Sequence, residues 1–205
     1  MLRLFVNRHG QNEDNADGIL NGHRDKPLTA LGISQAHELA EGIKSAGLAF
    51  DAIYTSPLSR SNMTAEIVCA KLGLARPVVL DSLIERDFGI MTGKLISDIE
   101  RLCAPDIVKT ETITYFLFAP GAETFPDLLV RANRVLNDIR TIHKKGSILL
   151  STHGDFGKML YAAYYGIPWQ DMLTKFHFGN CELLVLAEDV NPSKHMLVRM
   201  EQHNH

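Results

Sequence analysis

Apolar and polar positions along this chain follow two rhythms. Short continuous apolar runs at 4–6, 52–54 and 148–150 have the length and side-chain character of buried strands. Between them, apolar residues recur every three or four positions. Leu31, Ala36, Leu39, Ala40 and Ile43 share one helical face behind Thr29, a residue suited to N-capping, and Gly47 ends the run. Leu58, Ala65, Val68 and Leu72 repeat the pattern. Ser56-Pro57 reads there as an N-cap with proline at the first helical position, and Gly73 as the stop. A third face, Leu128, Ala132, Val135, Leu136 and Ile139, follows a Thr124 cap with Asp127 three residues on. Another helix is expected at about 156–165, and further strands at 77–80, 182–187 and 195–200.

Strands alternating with helices predict an α/β fold, a three-layer sandwich with a mainly parallel central sheet and helices on both faces. A length of 205 residues suits one domain spanning 1–205. The stretch from about 81 to 123 breaks the alternation, with glycines at 89 and 93 and a hydrophobic patch at 113–118. It is too short for a core of its own and reads as an insertion lying over a site.

Composition removes several function classes. A net charge of -3 and a pI near 6.3 call for neither nucleic acid nor an anionic membrane as partner. No apolar run is long enough to span a bilayer. Charge interrupts the amino terminus too early for a signal peptide, so a cytoplasmic location is expected. Cys69, Cys103 and Cys181 lie among apolar residues without metal-like spacing and read as buried free thiols. The nine histidines show no paired helical spacing, so no metal site is expected. His203 and His205 fall in a polar tail, and His177, ahead of a loop with Asn180, reads as structural. Glycine-rich nucleotide motifs are absent, and no cofactor is implied.

Chemistry concentrates where two apolar runs end alike, in Arg8-His9-Gly10 and in Thr152-His153-Gly154. Each looks like a strand ending in a histidine and a conformationally free glycine. In open α/β sheets, sites form beyond the carboxyl ends of parallel strands, so two such endings can deliver two imidazoles to one crevice. A neutral imidazole with one free nitrogen is a nucleophile toward phosphorus, and arginine offers a planar fork for phosphoryl oxygens. Arg60, expected in the first turn of a helix, adds a second cation where the dipole also favours an anion. Glu85, ahead of Arg86-Asp87-Phe88-Gly89, can protonate a leaving oxygen. Each piece alone is commonplace; their order and context together make a site.

These motifs resemble the histidine phosphatase superfamily, in its phosphoglycerate-mutase-like branch, over nearly the whole length. The resemblance is carried by Arg8-His9-Gly10 with Asn15, Pro27-Leu28-Thr29-Ala30-Leu31-Gly32 and Ser56-Pro57-Leu58-Ser59-Arg60-Ser61. It continues in Glu85-Arg86-Asp87-Phe88-Gly89 with Gly93, Gly121-Ala122-Glu123-Thr124 and Thr152-His153-Gly154. It implies that His9 is phosphorylated, that Glu85 donates the proton, and that Arg8, Asn15, Arg60 and His153 form the phosphate pocket. Gly22, Gly154, Arg86 and Lys94 are expected to meet the substrate, the last two reaching its far part. The chain departs from the pattern at Asn12, where the family often has Thr or Ser, and at Phe88, where mutases commonly carry Tyr. It departs again at Gly121-Ala122-Glu123.

The expected activity is a metal-independent phosphomonoesterase acting on a small phosphorylated metabolite. The alternatives are a cofactor-dependent phosphoglycerate mutase, against which the short carboxyl end is expected to argue, and a non-catalytic phosphate-binding module. A homodimer is compatible with burial of the terminal strands or of the 113–118 patch.

Overall fold

A computed structural model describes residues 1–191 and 194–202. The tail holding His203 and His205 lies outside the described residues. Strand β1 (Leu2–Arg8) leads through a short helix α1 (Glu13–Ala16) to helix α2 (Ala30–Ser45). Then come β2 (Ala52–Thr55), α3 (Ser59–Leu72) and a two-residue β3 (Val78–Val79). After a segment of 3-10 turns follow α4 (Ile99–Cys103) and a hairpin of β4 (Ile107–Lys109) and β5 (Thr114–Phe116). The chain closes with α5 (Phe125–Ile142), β6 (Gly146–Thr152), α6 (Gly154–Tyr165), α7 (Trp169–Lys175), β7 (Leu183–Leu186) and β8 (Met196–Val198).

The main sheet has the order β3-β2-β6-β1-β7-β8. The first four of these strands run parallel, β7 alone is reversed, and β8 pairs antiparallel with β7, which makes the expected α/β sandwich with a mainly parallel sheet. Strand alternation sorts the core. Leu4, Val6, Ile148 and Leu150 face a layer formed by α5, α6 and α7, while Phe5 and Leu149 face α2 and α3.

Helix α5 buries the predicted face Leu128, Ala132, Val135, Leu136 and Ile139, and Thr124 accepts from the Asp127 amide. Helix α2 buries four of its five predicted residues; Leu31 is half-buried, and Gly32 and Gln35 complete the face. Helix α3 differs at its start. Ser56-Pro57 does not cap it; the helix begins at Ser59, and Asp25 accepts from both the Ser59 amide and its hydroxyl at 2.7 Å. A carboxylate distant in sequence therefore fills the capping role. The three cysteines are free and buried.

The 81–123 stretch is not coreless. Phe88, Met91, Ile99, Cys103, Phe116 and Ala119 cluster with Leu20 from the loop after α1. Nor does the 113–118 patch form an open face: Tyr115 and Phe116 turn inward on β5, and only Phe118 is strongly exposed among its apolar residues. No helix among the described residues is long and apolar enough to cross a membrane.

Candidate active site

Register explains how the two histidines meet. Strands β1 and β6 are parallel neighbours with Arg8 opposite Thr152, and the His9 amide donates to the Thr152 carbonyl at 3.0 Å. His9 and His153 are each the next residue, so their rings lie edge to face with centroids 5.0 Å apart. The chain then turns at Gly10 for a reason other than the expected freedom of φ. A Cβ on Gly10 would strike the Gly32 carbonyl, and one on Gly32 would strike the Gln11 carbonyl. These two glycines let the loop after His9 pack backbone to backbone on the start of α2.

His9 is held in one tautomer. Its Nδ1 contacts the Gly10 carbonyl at 2.7 Å and so carries the proton it donates there. Nε2 is left with its lone pair and accepts from Arg60 Nε at 3.1 Å. Burial first, then the Arg60 and Arg8 charges, hold the His9 pKa well below 6.5, so the ring is neutral at pH 7. Arg60 is itself gripped on both other nitrogens, by the Arg24 carbonyl at 2.6 Å and the Gly22 carbonyl at 3.0 Å. Burial brings it down to about 10, still fully charged at neutral pH.

Arg8 donates from Nη1 to the Phe178 carbonyl at 2.8 Å, while its buried Nε lacks a partner. His153 contacts the Ser56 hydroxyl through Nε2 at 2.7 Å, and its buried Nδ1 is unpartnered. Burial, reinforced by Arg60, also holds its pKa well below 6.5. Asn15 turns its oxygen to Asn180 Nδ2 at 3.2 Å, and Asn180 also holds the His9 carbonyl at 2.9 Å. The Asn15 side-chain Nδ2 remains for the pocket.

Glu85 rests on the N-terminus of α6. Its Oε1 accepts from the Arg86 and Phe156 amides at 2.8 and 3.0 Å, and Oε2 has only a long 3.3 Å contact to the Asp155 amide. Burial and then the Asp155 charge push its pKa up, against the pull of those amides. Arg131 braces the loop from below, donating to the Ser82, Ile84 and Glu85 carbonyls and pairing with Glu123.

Arg8, His9, Asn15, Arg60, Glu85, Arg86 and Gly154 all line one pocket of about 130 Å³. His153 and Gly22 stand behind this wall, the first beside His9 and the second under Arg60. Lys94 does not reach it: the residue is exposed, and its engagement is through the backbone, the carbonyl accepting from the Leu20 amide and the amide donating to the Met91 carbonyl. His177 lacks a structural hydrogen bond at Nδ1, which is buried and unpartnered. Residues that motif reading did not single out include Ser56 as a support of His153, Asn180 and Asp155. Of these, Asp155 carried a signal, standing two positions after His153 at a helix start. Among the described residues no group of three His, Cys, Asp or Glu is placed to hold a metal ion.

Two neutral imidazoles between paired arginines, with a buried carboxyl opposite, match a known class. The model of the histidine phosphatase superfamily (branch 1) matches residues 4–201, and the chain belongs to that superfamily of enzymes. A 2,3-bisphosphoglycerate-dependent phosphoglycerate mutase of Parvibaculum lavamentivorans is 33% identical over 159 residues, 74% of each chain. The solved structure of a putative alpha-ribazole-5'-P phosphatase from Escherichia coli is 25% identical, with a TM-score of 0.75 over 98% of this chain and 97% of that one. A mycobacterial glucosyl-3-phosphoglycerate phosphatase shares the fold, with a TM-score of 0.77 at 24% identity over 90% and 92% of the two chains.

Proposed function

We propose that the protein is a metal-independent phosphomonoesterase that works through a phosphohistidine on His9. The observation that carries this reading is the His9 ring, proton fixed on Nδ1 and lone pair on Nε2, directed at Arg60 on a pocket wall. In the first step Nε2 attacks phosphorus and the ester P–O bond breaks. The leaving oxygen takes a proton from Glu85, whose Oε2 is the less engaged oxygen and the one suited to carry it. Arg60 exchanges its bond to Nε2 for a phosphoryl oxygen, and Arg8 and Asn15 Nδ2 supply further donors. When Ser56 donates to His153 Nε2, the proton of that ring sits on Nδ1, beside His9. In the second step Glu85 takes a proton from water. The oxygen of that water attacks phosphorus, the P–N bond breaks, and phosphate and neutral His9 return.

Labelled substrate quenched in base should leave a protein-bound phosphate that acid releases, and His9→Ala should abolish it. Base-stable, acid-labile label retained in His9→Ala would sink the assignment.

A mutase reading is favoured by one observation, the 33% identity to a phosphoglycerate mutase. It calls for interconversion of 3- and 2-phosphoglycerate that 2,3-bisphosphoglycerate stimulates, with phosphate release as a side reaction. Phosphate release in step with ester consumption, without interconversion, would leave the phosphatase reading standing.

A further inference from the structure

Beyond the phosphoryl site the pocket opens toward the 81–123 segment, and its walls change character. The cations on the pocket wall, among the described residues, are Arg8, Arg60, Arg86 and Lys158. The first two face the phosphoryl position. Arg86 is 1% exposed and its charge is answered by Asp155, Nε to Oδ2 at 2.8 Å. Its guanidinium also lies against the rings of Phe116, Phe125 and Phe88, at 4.1, 4.4 and 4.9 Å. Lys158 spends three donor bonds on the Tyr115 hydroxyl and the Leu173 and Phe176 carbonyls, at 3.0, 2.8 and 2.7 Å.

An adjoining hollow of about 340 Å³ shares Leu20, Ile96, Ile99 and Ile113 with the phosphoryl pocket, so the two are continuous. Apart from Arg8 its lining holds no arginine or lysine; Asn15, three threonines and His177 supply neutral polar groups, the His177 pKa being lowered to about 4 by burial, and Glu111 stands at its edge. A leaving group that carried a second anion would meet aliphatic and neutral polar side chains and an acid there, and lose its water without a counter-charge. An apolar group would be desolvated at a gain.

We propose that this site selects phosphomonoesters of apolar, uncharged alcohols, and that Asp155 enforces the choice by keeping Arg86 from a second anion. The inference rests on the phosphomonoesterase reading for its chemistry. Asp155 acts here as a specificity residue, through the cation it pairs.

The test compares alkyl esters, so that leaving-group acidity does not confound the ranking. Consumption of n-propyl phosphate, n-hexyl phosphate, glycerol 3-phosphate and 3-phosphoglycerate is followed by phosphorus NMR, which registers hydrolysis and transfer alike. We expect kcat/KM to rise about threefold per methylene from propyl to hexyl, and hexyl phosphate to exceed 3-phosphoglycerate by at least about tenfold. Asp155→Asn should narrow the hexyl-to-phosphoglycerate ratio by about tenfold, whatever it does to absolute rates. Ile96→Lys, which places a cation in the hollow, should narrow it too and guards against misfolding of the first variant. Phosphoglycerate consumed as well as hexyl phosphate, or a ratio unmoved in both folded variants, would overturn the proposal. Absence of the acid-labile adduct with every ester would instead overturn the phosphohistidine reading, while the substrate order would still decide this one.

Discussion

Arg60 Nε donates to His9 Nε2 at 3.1 Å while the opposite edge of the same imidazole is fixed on the Gly10 carbonyl. A single arginine thus marks the proposed attacking atom, and two loop carbonyls fix the direction of that arginine. Lysine could not reproduce the arrangement, because one ammonium cannot span His9 and the Gly22 and Arg24 carbonyls in a plane. Arg60→Lys is expected to lower kcat by about 10²–10³-fold, with the fold intact by circular dichroism. Loss of less than about tenfold would show that the planar fork is not what the reaction uses.

Glu85 should be recognised by leaving-group dependence. Burial and Asp155 raise its pKa, so it stays protonated to higher pH than an ordinary carboxyl group. Activity on alkyl phosphates should therefore fall as pH rises through that raised pKa. Glu85→Gln should remove this basic limb and slow alkyl phosphates far more than p-nitrophenyl phosphate, whose leaving group needs little protonation. Equal losses on both would make Glu85 a positioning residue.

Stability should fall in mild acid. His9 and His153 are held neutral in the folded protein, with pKa values well below the 6.5 of the unfolded chain. Below about pH 6.5 the unfolded state takes up protons that the folded state refuses, so unfolding is favoured as pH drops toward the folded values. Each ring contributes up to about 1.4 kcal/mol per pH unit. Denaturant titrations between pH 7 and 5 should show this slope, and His153→Gln should flatten it. A slope unchanged in the variant would place the acid sensitivity elsewhere.

Charge stabilisation here is assigned to Arg8 and Arg60, so a strong chelator should leave phosphate release within about twofold of the untreated rate. Complete loss that zinc or magnesium restores would overturn metal independence.

Gly32→Ala tests the backbone contact under the loop that follows His9. Its Cβ would collide with the Gln11 carbonyl, and the loop cannot yield without moving His9. An overpacking cost of about 1–3 kcal/mol is expected, together with a drop in kcat. A variant of wild-type stability and activity would show that the loop relaxes independently of the site.

Much of the frame was legible in the residues, and the misses share a cause. The α2 and α5 faces follow from 3.6-residue periodicity, because a helix on one side of a sheet must bury one stripe. Ser56-Pro57 is a sound local cap signal, yet Asp25, 34 residues before Ser59, takes that role at the start of α3 and leaves Ser56 to support His153. Helix α7 and the β4–β5 hairpin were not anticipated, since each is too short for periodicity to show. Lys94 matches the family pattern by motif position, yet the fold exposes its side chain while holding its backbone.

By itself the sequence determined the alternation of strands and helices, the two His-Gly strand endings, and most of the residues from which the site is built. These are local properties, encoded in periodicity, capping and residue type. The tertiary structure alone decided which groups are spent and which are free. Parallel register brings His9 beside His153, while Asp155 neutralises Arg86 and Lys158 exhausts its donors on carbonyls and a phenol. A charge in a sequence is only a residue type. Whether it can meet a substrate depends on what else lies within about 3 Å of it, and residues far apart in the chain settle that only once it has folded.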